Sequence, residues 1–415
     1  MPRLLLAVAL VLGGAATGCG KGGAGRAGAG APALSVPSRS PTPPGAVGIA
    51  TKNTTRLGGA DAPSDAAAVA RAVYPGLTPA TRPQAVVLVN ERSWAASLAA
   101  STLAGAPLGA PLLYADGDSL PAPSAQALAA LHPTGSAALE GAQVIEIGTS
   151  APVPGGLRVR RLALGSEPGG DQAAAVSAAV ERLLEALSRG TPRSFIVVPS
   201  EAPRSLQMPA AGLAAESGAA ILLLSPRGLA ATSAVLARAH HPSLYVVGAS
   251  SLAAGARAAL ASFGRVLNAS GEAGTSSHTG SREGAEAVEN AIALSRFGRG
   301  AFGWNIHEAG HGLVFASTAR PLDAPAAAPL SAHGDYAPLL LLERAGSVPP
   351  ALAHYLSNIE PGYSAAVPPV RAVYNHGWLI GDESAISAHA QAEIDAALEV
   401  APRSPSPEEA PAPSE

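Results

Sequence analysis

The chain has 415 residues, enough for two to four domains that each bury a core. Apolar residues make up 47% and charged ones 14%, while 46 Gly and 38 Pro punctuate the chain into short elements rather than long bundled helices. The net charge of -3, with no basic stripe interleaved with aromatics, excludes a large positive field for holding nucleic acid.

Arg3 precedes an apolar run from Leu4 to Leu12, followed by A-A-T-G-C ending at Cys19. The run is short for a bilayer span and has the layout of an export signal. Residues 1–19 resemble a bacterial lipoprotein signal, with Ala16 in place of the usual Leu. The resemblance implies that Cys19 is lipid-modified and becomes the N-terminus, anchoring the chain to the membrane. A plain secretory signal with an incidental cysteine is the alternative. Cys19 is the only cysteine, so no intrachain disulfide can form. Residues 20–45, rich in Gly, Ser and Pro, read as a flexible tether. Gly23, Gly25 and Gly28 form a nominal G-x-G-x-x-G, but no strand precedes them to build a phosphate cradle.

Three apolar runs of the kind buried in parallel sheets follow, at 85–89, 195–198 and 313–316. Each leads into an Ala-rich helical stretch and then a second run, at 110–114, 220–224 and 337–342. Leu103 and Leu330 lie 227 residues apart, as do Pro111 and Pro338, whereas Leu103 and Leu213 lie 110 apart, as do Leu112 and Leu222. The chain therefore carries three copies of one unit in register. A third strand in each copy ends near Gly148, Gly248 and Gly381. Opening helices are expected over Asp65–Tyr74, Asp171–Leu187 and about Ser281–Leu294. Further helices starting at Pro123 and Gly228, with one near Ser384–Leu398, complete the units.

The order helix, strand, helix, strand, helix, strand predicts an α/β fold of three tandem Rossmann-like or flavodoxin-like units, each a small parallel sheet with helices on both faces. Boundaries at Pro154 and Gly264 give repeats over 46–154, 155–263 and 264–400. Residues 401–415 are expected to form a disordered, acidic, Pro-rich tail.

These landmarks resemble the cell wall-binding repeat type 2 family. R-L-G-G-A-D at Arg56–Asp61 is similar to the family opening. S-L-A-A-S-T-L-A at 97–104 and G-A-P-L-L at 109–113 are similar to its middle, and Ile147-Gly148, Val247-Gly248 and Ile380-Gly381 to its last strand and turn. Asp323 keeps an acidic helix start that is Ala96 in the first copy and Leu206 in the second. The resemblance covers about residues 50–400. It implies three units packed around a pseudo-threefold axis and binding of an anionic cell-wall polymer.

Arg56, Asp61, Arg320 and Asp323 fall near strand ends, where open α/β sheets bind ligands; salt links or helix caps are the structural alternative. His376, in N-H-G-W at 375–378, belongs either to a turn with a packed Trp or to an inter-unit site.

Residues 307–311 read H-E-A-G-H, a formal H-E-x-x-H zinc motif. In the repeat register, however, Leu313 falls on Val86, so His307, Glu308 and His311 occupy the connection that delivers a strand. Gly298, Gly300, Gly303, Gly310 and Gly312 all weaken a helix there, each by about 1 kcal/mol relative to Ala.

The resulting expectation is a non-catalytic, lipid-anchored envelope protein that binds an anionic cell-wall glycan, with no cofactor. The alternatives are a zinc metallohydrolase built on His307, Glu308 and His311, and a scaffold that holds an envelope protein.

Overall fold

A computed structural model describes residues 47–164, 171–188, 190, 192–225, 229–270, 282–334, 336–363 and 373–402. The expected export signal, Cys19 and the tether lie outside the described residues, as does the tail beyond Pro402.

The first unit begins with strands β1 (Val47–Ala50) and β2 (Thr54–Leu57), then helix α1 (Ala62–Val73) and β3 (Val86–Asn90). It continues through α2 (Trp94–Ala100), β4 (Leu112–Ala115), α3 (Ala122–Leu131) and β5 (Val144–Ile147). The second runs β6 (Val159–Arg161), α4 (Gln172–Ser188), β7 (Ser194–Pro199), α5 (Arg204–Gln207) and α6 (Pro209–Ser217). Then come β8 (Ala220–Leu224), α7 (Leu229–Arg238), β9 (Ser243–Val246) and α8 (Ala254–Ala261). The third runs β10 (Arg265–Asn268), α9 (Arg282–Arg296), β11 (Gly312–Ser317), α10 (Asp323–Ala332) and β12 (Leu339–Leu342). It ends with α11 (Pro350–Asn358), β13 (Gly362–Tyr363), β14 (His376–Ile380), α12 (Ala388–Ala397) and β15 (Ala401–Pro402).

The repeated α/β units form three parallel sheets, ordered β4-β3-β5-β6, β8-β7-β9-β10 and β12-β11-β14-β2-β1, with only β1 antiparallel to its neighbour. The first strand of each unit is thus given to another unit's sheet. β6 extends the first sheet and β10 the second, while β2, near the start of the described chain, extends the third. The boundaries read at Pro154 and Gly264 fall just before these exchanged strands.

Local chemistry explains where the elements differ from expectation. α1 starts before Asp65 because Asp61 caps it, accepting from the Ser64 amide at 2.8 Å, and Pro63 suits its first turn. The stretch expected to be helical over 97–104 is α2 followed by a 3₁₀ turn, Ser101–Ala104. α12 begins only at Ala388, capped by Ser387, and follows the last strand. The counterpart of α3 and α7 in the third unit is instead α11, which had no place in the expected order. Ala401 and Pro402, read as tail, pair in parallel with β13.

β3 is V-V-L-V-N with its four apolar residues buried, the pattern of a strand covered on both faces. The opening helices are two-faced. On α1, Ala66, Ala67 and Ala70 join the first unit's core, while Ala68 and Val69 join the core of the third. On α4, Val176, Val180 and Leu183 pack on the first unit, and Ala178 and Leu184 on the second. Ala104, Ala215 and Ala328 form a cluster where the extension of α2 meets α6 and α10. The approach is close: a Cβ on Gly105 would lie 2.2 Å from the Ala215 carbonyl oxygen, so only glycine fits. The three equivalent helical segments thus meet in one cluster. Among the described residues, no helix is long and apolar enough to cross a membrane.

Candidate functional site at the junction of the third and first units

Beyond the C-terminal end of β11 the chain turns through Thr318, Ala319 and Arg320 into α10, whose first residue is Asp323. Across the junction, Asp65 projects from the first turn of α1. The Arg320 guanidinium pairs directly with Asp65, with its Nε 3.3 Å from Asp323 and one terminal nitrogen 3.4 Å from Asp382. The same nitrogen donates to the Gly59 carbonyl at 3.2 Å. Asp65 and Asp323 are 0% and 1% exposed. Gly58, at φ +121°, leaves room for this cluster, since a Cβ there would lie 2.1 Å from an Asp65 oxygen. The neighbouring Gly59 amide donates to that oxygen at 2.6 Å.

Burial, and then the charge of Asp323, pushes the Asp65 carboxyl well up, against the pull of Arg320. Burial also raises Asp323, opposed by Arg320 and by a hydrogen bond with Asp65. Two carboxyls facing one guanidinium in a dry junction each resist ionisation. Asp382 behaves differently: burial opposes its ionisation, yet hydrogen bonds from Ser384 and the nearby Arg320 hold it below its usual range.

Arg56, on β2, lies beside this cluster but faces inward. Its guanidinium donates to the carbonyls of Gly381, Asp382 and Ile386 and to the Gln391 side chain, at 2.7–3.1 Å. It ties the exchanged strand to the end of β14. The sheet registers identify its counterparts, because Arg56, Arg161 and Asn268 all pair with the residue two before the last-strand glycine. Arg161 answers the buried Glu146 at 2.6 Å. Asp61 is exposed and caps α1.

The structure therefore brings together Arg56, Arg320 and Asp323, with Asp61 at the edge, and adds Asp65, Asp382 and Gln391. It does not bring His376 to them. His376 opens β14, about 16 Å along the strand from Gly381 at ~3.3 Å per residue. Its ring meets Trp378 edge-on, and its Nε2 lies 3.1 Å from the Thr55 hydroxyl.

The H-E-A-G-H segment is irregular and enters β11 at Gly312, so its two imidazoles do not stand on one face of a helix. Asn375 fixes it: its side-chain Oδ1 accepts from the Gly310 and His311 amides at 2.9 and 3.1 Å, and its side-chain Nδ2 donates to the Ile359 carbonyl at 2.8 Å. His307 and Glu308 line a cleft of about 600 Å³ with Ser357, Asn358 and Glu360. Burial lowers the pKa of His311, with Glu308 pulling the other way. Among the described residues, no group of three His, Cys, Asp or Glu side chains is placed to hold a metal.

Two solved structures share this architecture. Cwp6 from Clostridium difficile matches with a TM-score of 0.61 at 19% identity, over 88% of this chain and 50% of its own. Cwp8 from the same organism matches with a TM-score of 0.60 at 18% identity, over 84% of this chain and 52% of its own. The fold is theirs. At this identity the likeness is one of fold alone, and the chain spans about half the length of either structure. No family model and no curated protein matches the sequence.

The strand-end site of the third unit thus has its cations committed. Arg56 answers carbonyls and Arg320 answers carboxylates, so the arrangement is suited to locking two units together. Sequence reasoning passed over Asp65 and Asn375. For Asp65 the available signal was a charged side chain inside A-P-S-D-A-A-A-V, a stretch that packing buries, whereas Asn375 lies in the mixed stretch Y-N-H-G-W and gave no such signal.

Proposed function

We propose that the chain is an exported, lipid-anchored envelope protein that binds a cell-wall polymer without catalysis. The observation that carries this is the three-unit architecture, shared over 88% of the chain with Cwp6 and also with Cwp8, which are cell wall proteins. The signal-like segment ending at Cys19 supports export and anchoring. Because Arg56 and Arg320 are engaged inside the fold, polymer contact falls to exposed arginines. Arg158 and Arg160, beside and on the edge strand β6, are such a pair. A guanidinium pairs with phosphate or carboxylate oxygens in bidentate fashion.

Co-sedimentation of the full chain with purified cell walls tests the reading. Retention at low salt that declines as salt rises is expected, and no retention at low salt counts against it. Fatty-acid labelling that persists in Cys19→Ala would overturn the anchor.

A scaffold that holds an envelope protein is the second reading, favoured by the internal use of Arg56 and Arg320. Its mark is a stoichiometric protein partner that copurifies from membranes. The irregular backbone at 307–311 weighs against the metallohydrolase, for which peptidase or amidase activity lost in Glu308→Gln would be the sign.

A further inference from the structure

The exchanged strands β2, β6 and β10 hold equivalent places in their sheets, yet they are covered differently. Thr54, Val159 and Val266 correspond, since each pairs with the residue four before the last-strand glycine of its sheet. On the outer side of β2 lies β1, antiparallel, and the chain turning between them donates the Thr51 amide to the Thr54 carbonyl at 2.8 Å. Among the described residues no strand pairs with the outer side of β6, and Val159 is 37% exposed where Thr54 is 0%. The first unit also lacks a helix at this place. α8 follows the last strand of the second unit and α12 that of the third, whereas residues 148–158, between β5 and β6, contain none.

The ladder defines the free side of β6. The Arg158 carbonyl accepts from the Val144 amide at 3.1 Å, and the Leu162 amide donates to the Glu146 carbonyl at 2.9 Å. Arg158, Arg160 and Leu162 therefore turn their backbone toward β5. By alternation the amides and carbonyls of Val159 and Arg161 point outward, and none of these four groups has a partner among the described residues. An added strand completes such a row, as β1 does on β2. The side chains set the chemistry of that strand. Arg158 and Arg160 are exposed, and Arg160 has no hydrogen-bonded or ion-paired partner among the described residues, whereas Arg161 is paired with Glu146. A second copy of β6 would set arginine against arginine, which like charges on paired strands disfavour. The chain's own acidic end, Pro405 to Glu415, has four prolines, each without the donor that a ladder needs.

We infer that β6 is a docking edge for an extended acidic segment of another protein, which adds as an antiparallel strand where the third sheet has β1. The backbone of that segment pairs with Val159 and Arg161, and its carboxylates answer Arg160 and Arg158. The inference rests on the scaffold reading and gives the partner a chemistry and a place.

Fluorescence anisotropy with the full chain and labelled probes tests it. The probes are the capped peptide T-E-V-E-V-E-T, its lysine counterpart T-K-V-K-V-K-T, the acidic peptide N-methylated throughout its centre, and tri-galacturonate, which carries the same charge without amides. The acidic peptide should bind at least about tenfold tighter than each of the others. On binding, hydrogen exchange should slow at the Val159 and Arg161 amides and stay unchanged at Arg160, which already faces β5. Val159→Pro removes an outward donor and no bond to β5, so it should weaken the peptide by about tenfold with an unchanged melting temperature. Arg160→Glu should lose the acidic peptide and gain the lysine one.

Equal binding of tri-galacturonate overturns the inference and leaves Arg158 and Arg160 as polymer contacts. Equal binding of the N-methylated peptide, or no slowing at Val159 and Arg161, overturns it as well. Copurification from membranes separates it from the scaffold reading. A stoichiometric envelope protein retained by both the Val159→Pro and the Arg160→Glu chains removes the docking edge and leaves the scaffold standing. Peptide binding with the expected selectivity, by a chain with which no protein copurifies, removes the scaffold and leaves the edge.

Discussion

The start of the central helix occurs three times in the molecule with three different chemistries. In the third unit it carries Asp323, which faces Arg320 and, across the junction, Asp65 of α1. In the first unit the same position is Ala96, fully buried, and Ser93 stands where Arg320 does and caps α2. In the second it is Leu206, beside Ser205, whose hydroxyl donates to Glu283 of α9 at 2.8 Å. At the helix start the two junctions between consecutive units therefore carry no ion pair among the described residues, although Arg161 of the second unit pairs with Glu146 of the first at the strand end. The junction between residues 255 apart in sequence is ionic. Buried ion groups add little net stability over an apolar equivalent, but they penalise any packing that leaves them unpaired. Consecutive units are held together by their short linkers, while the closing joint must choose its partner from the whole chain.

The sharpest way to break this comparison is to remove the cation. Arg320→Ala leaves Asp65 and Asp323 facing each other in the dry, and it should cost about 3–5 kcal/mol in urea unfolding. Ala96→Asp puts a lone carboxyl at the equivalent, fully buried position and should cost a similar amount. If Arg320→Ala cost under about 1 kcal/mol, the closing joint would be no different in kind from the others.

The exchanged strand gives the next effect. Arg56→Ala removes the donor for three carbonyls and the Gln391 side chain, for a loss of about 2–3 kcal/mol. Hydrogen exchange should localise it, with β2 and β14 losing protection while β3 and β5 keep theirs. Uniform loss in all three sheets would mean that the joint does not open on its own.

This contrast between joints also marks what the sequence could and could not reveal. Inner strands such as Val86–Asn90 are covered on both faces, so they read as unbroken apolar runs and their spacing disclosed three units. Two of the exchanged strands are short edges: β6 is V-R-R and wholly exposed, and β10 is R-V-L-N. Neither has a buried face to impose a pattern, and the exchange, which is a long-range pairing, left no local trace. Among the site residues, Arg56, Arg320 and Asp323 stood out as charges near strand ends. Whether they face solvent or each other depends on Asp65, which in sequence is one more acidic residue in the first turn of a helix. The H-E-A-G-H segment was legible through register, since Leu313 had to begin a strand, while its clamp, Asn375, lies 64 residues from His311.

A pH series sharpens the comparison further. Asp65 and Asp323 are raised to about 9 and about 6 in the fold, whereas both ionise near 4 when unfolded. Between those values the folded chain holds protons that the unfolded chain releases. Their stabilisation is complete below about pH 4 and is lost as pH rises to about 9. Burial lowers His311 and His333, so their contribution is lost as pH falls below the usual histidine range and is constant above it. From pH 7 to 9 the melting temperature should therefore decline in the wild type and decline less in Asp65→Asn. Equal slopes would show that Asp65 is not the group behind the decline.

The smallest effect separates the surface from the joint. Asp61 and Asp65 lie four residues apart in R-L-G-G-A-D-A-P-S-D, and sequence alone assigns them one acidic patch. In the fold, Asp61 is exposed and bonds only the first turn of α1, while Asp65 is buried against Arg320. Asp61→Ala should cost about 1 kcal/mol, the usual worth of an N-cap, and Asp61→Asn less, because an amide oxygen caps as well as a carboxylate. Neither should alter the pH slope between 7 and 9. If Asp61→Ala flattened that slope as Asp65→Asn does, the ionic joint would extend to the surface. The third-unit strand end would then be open to solvent and to a ligand, rather than closed on its own residues.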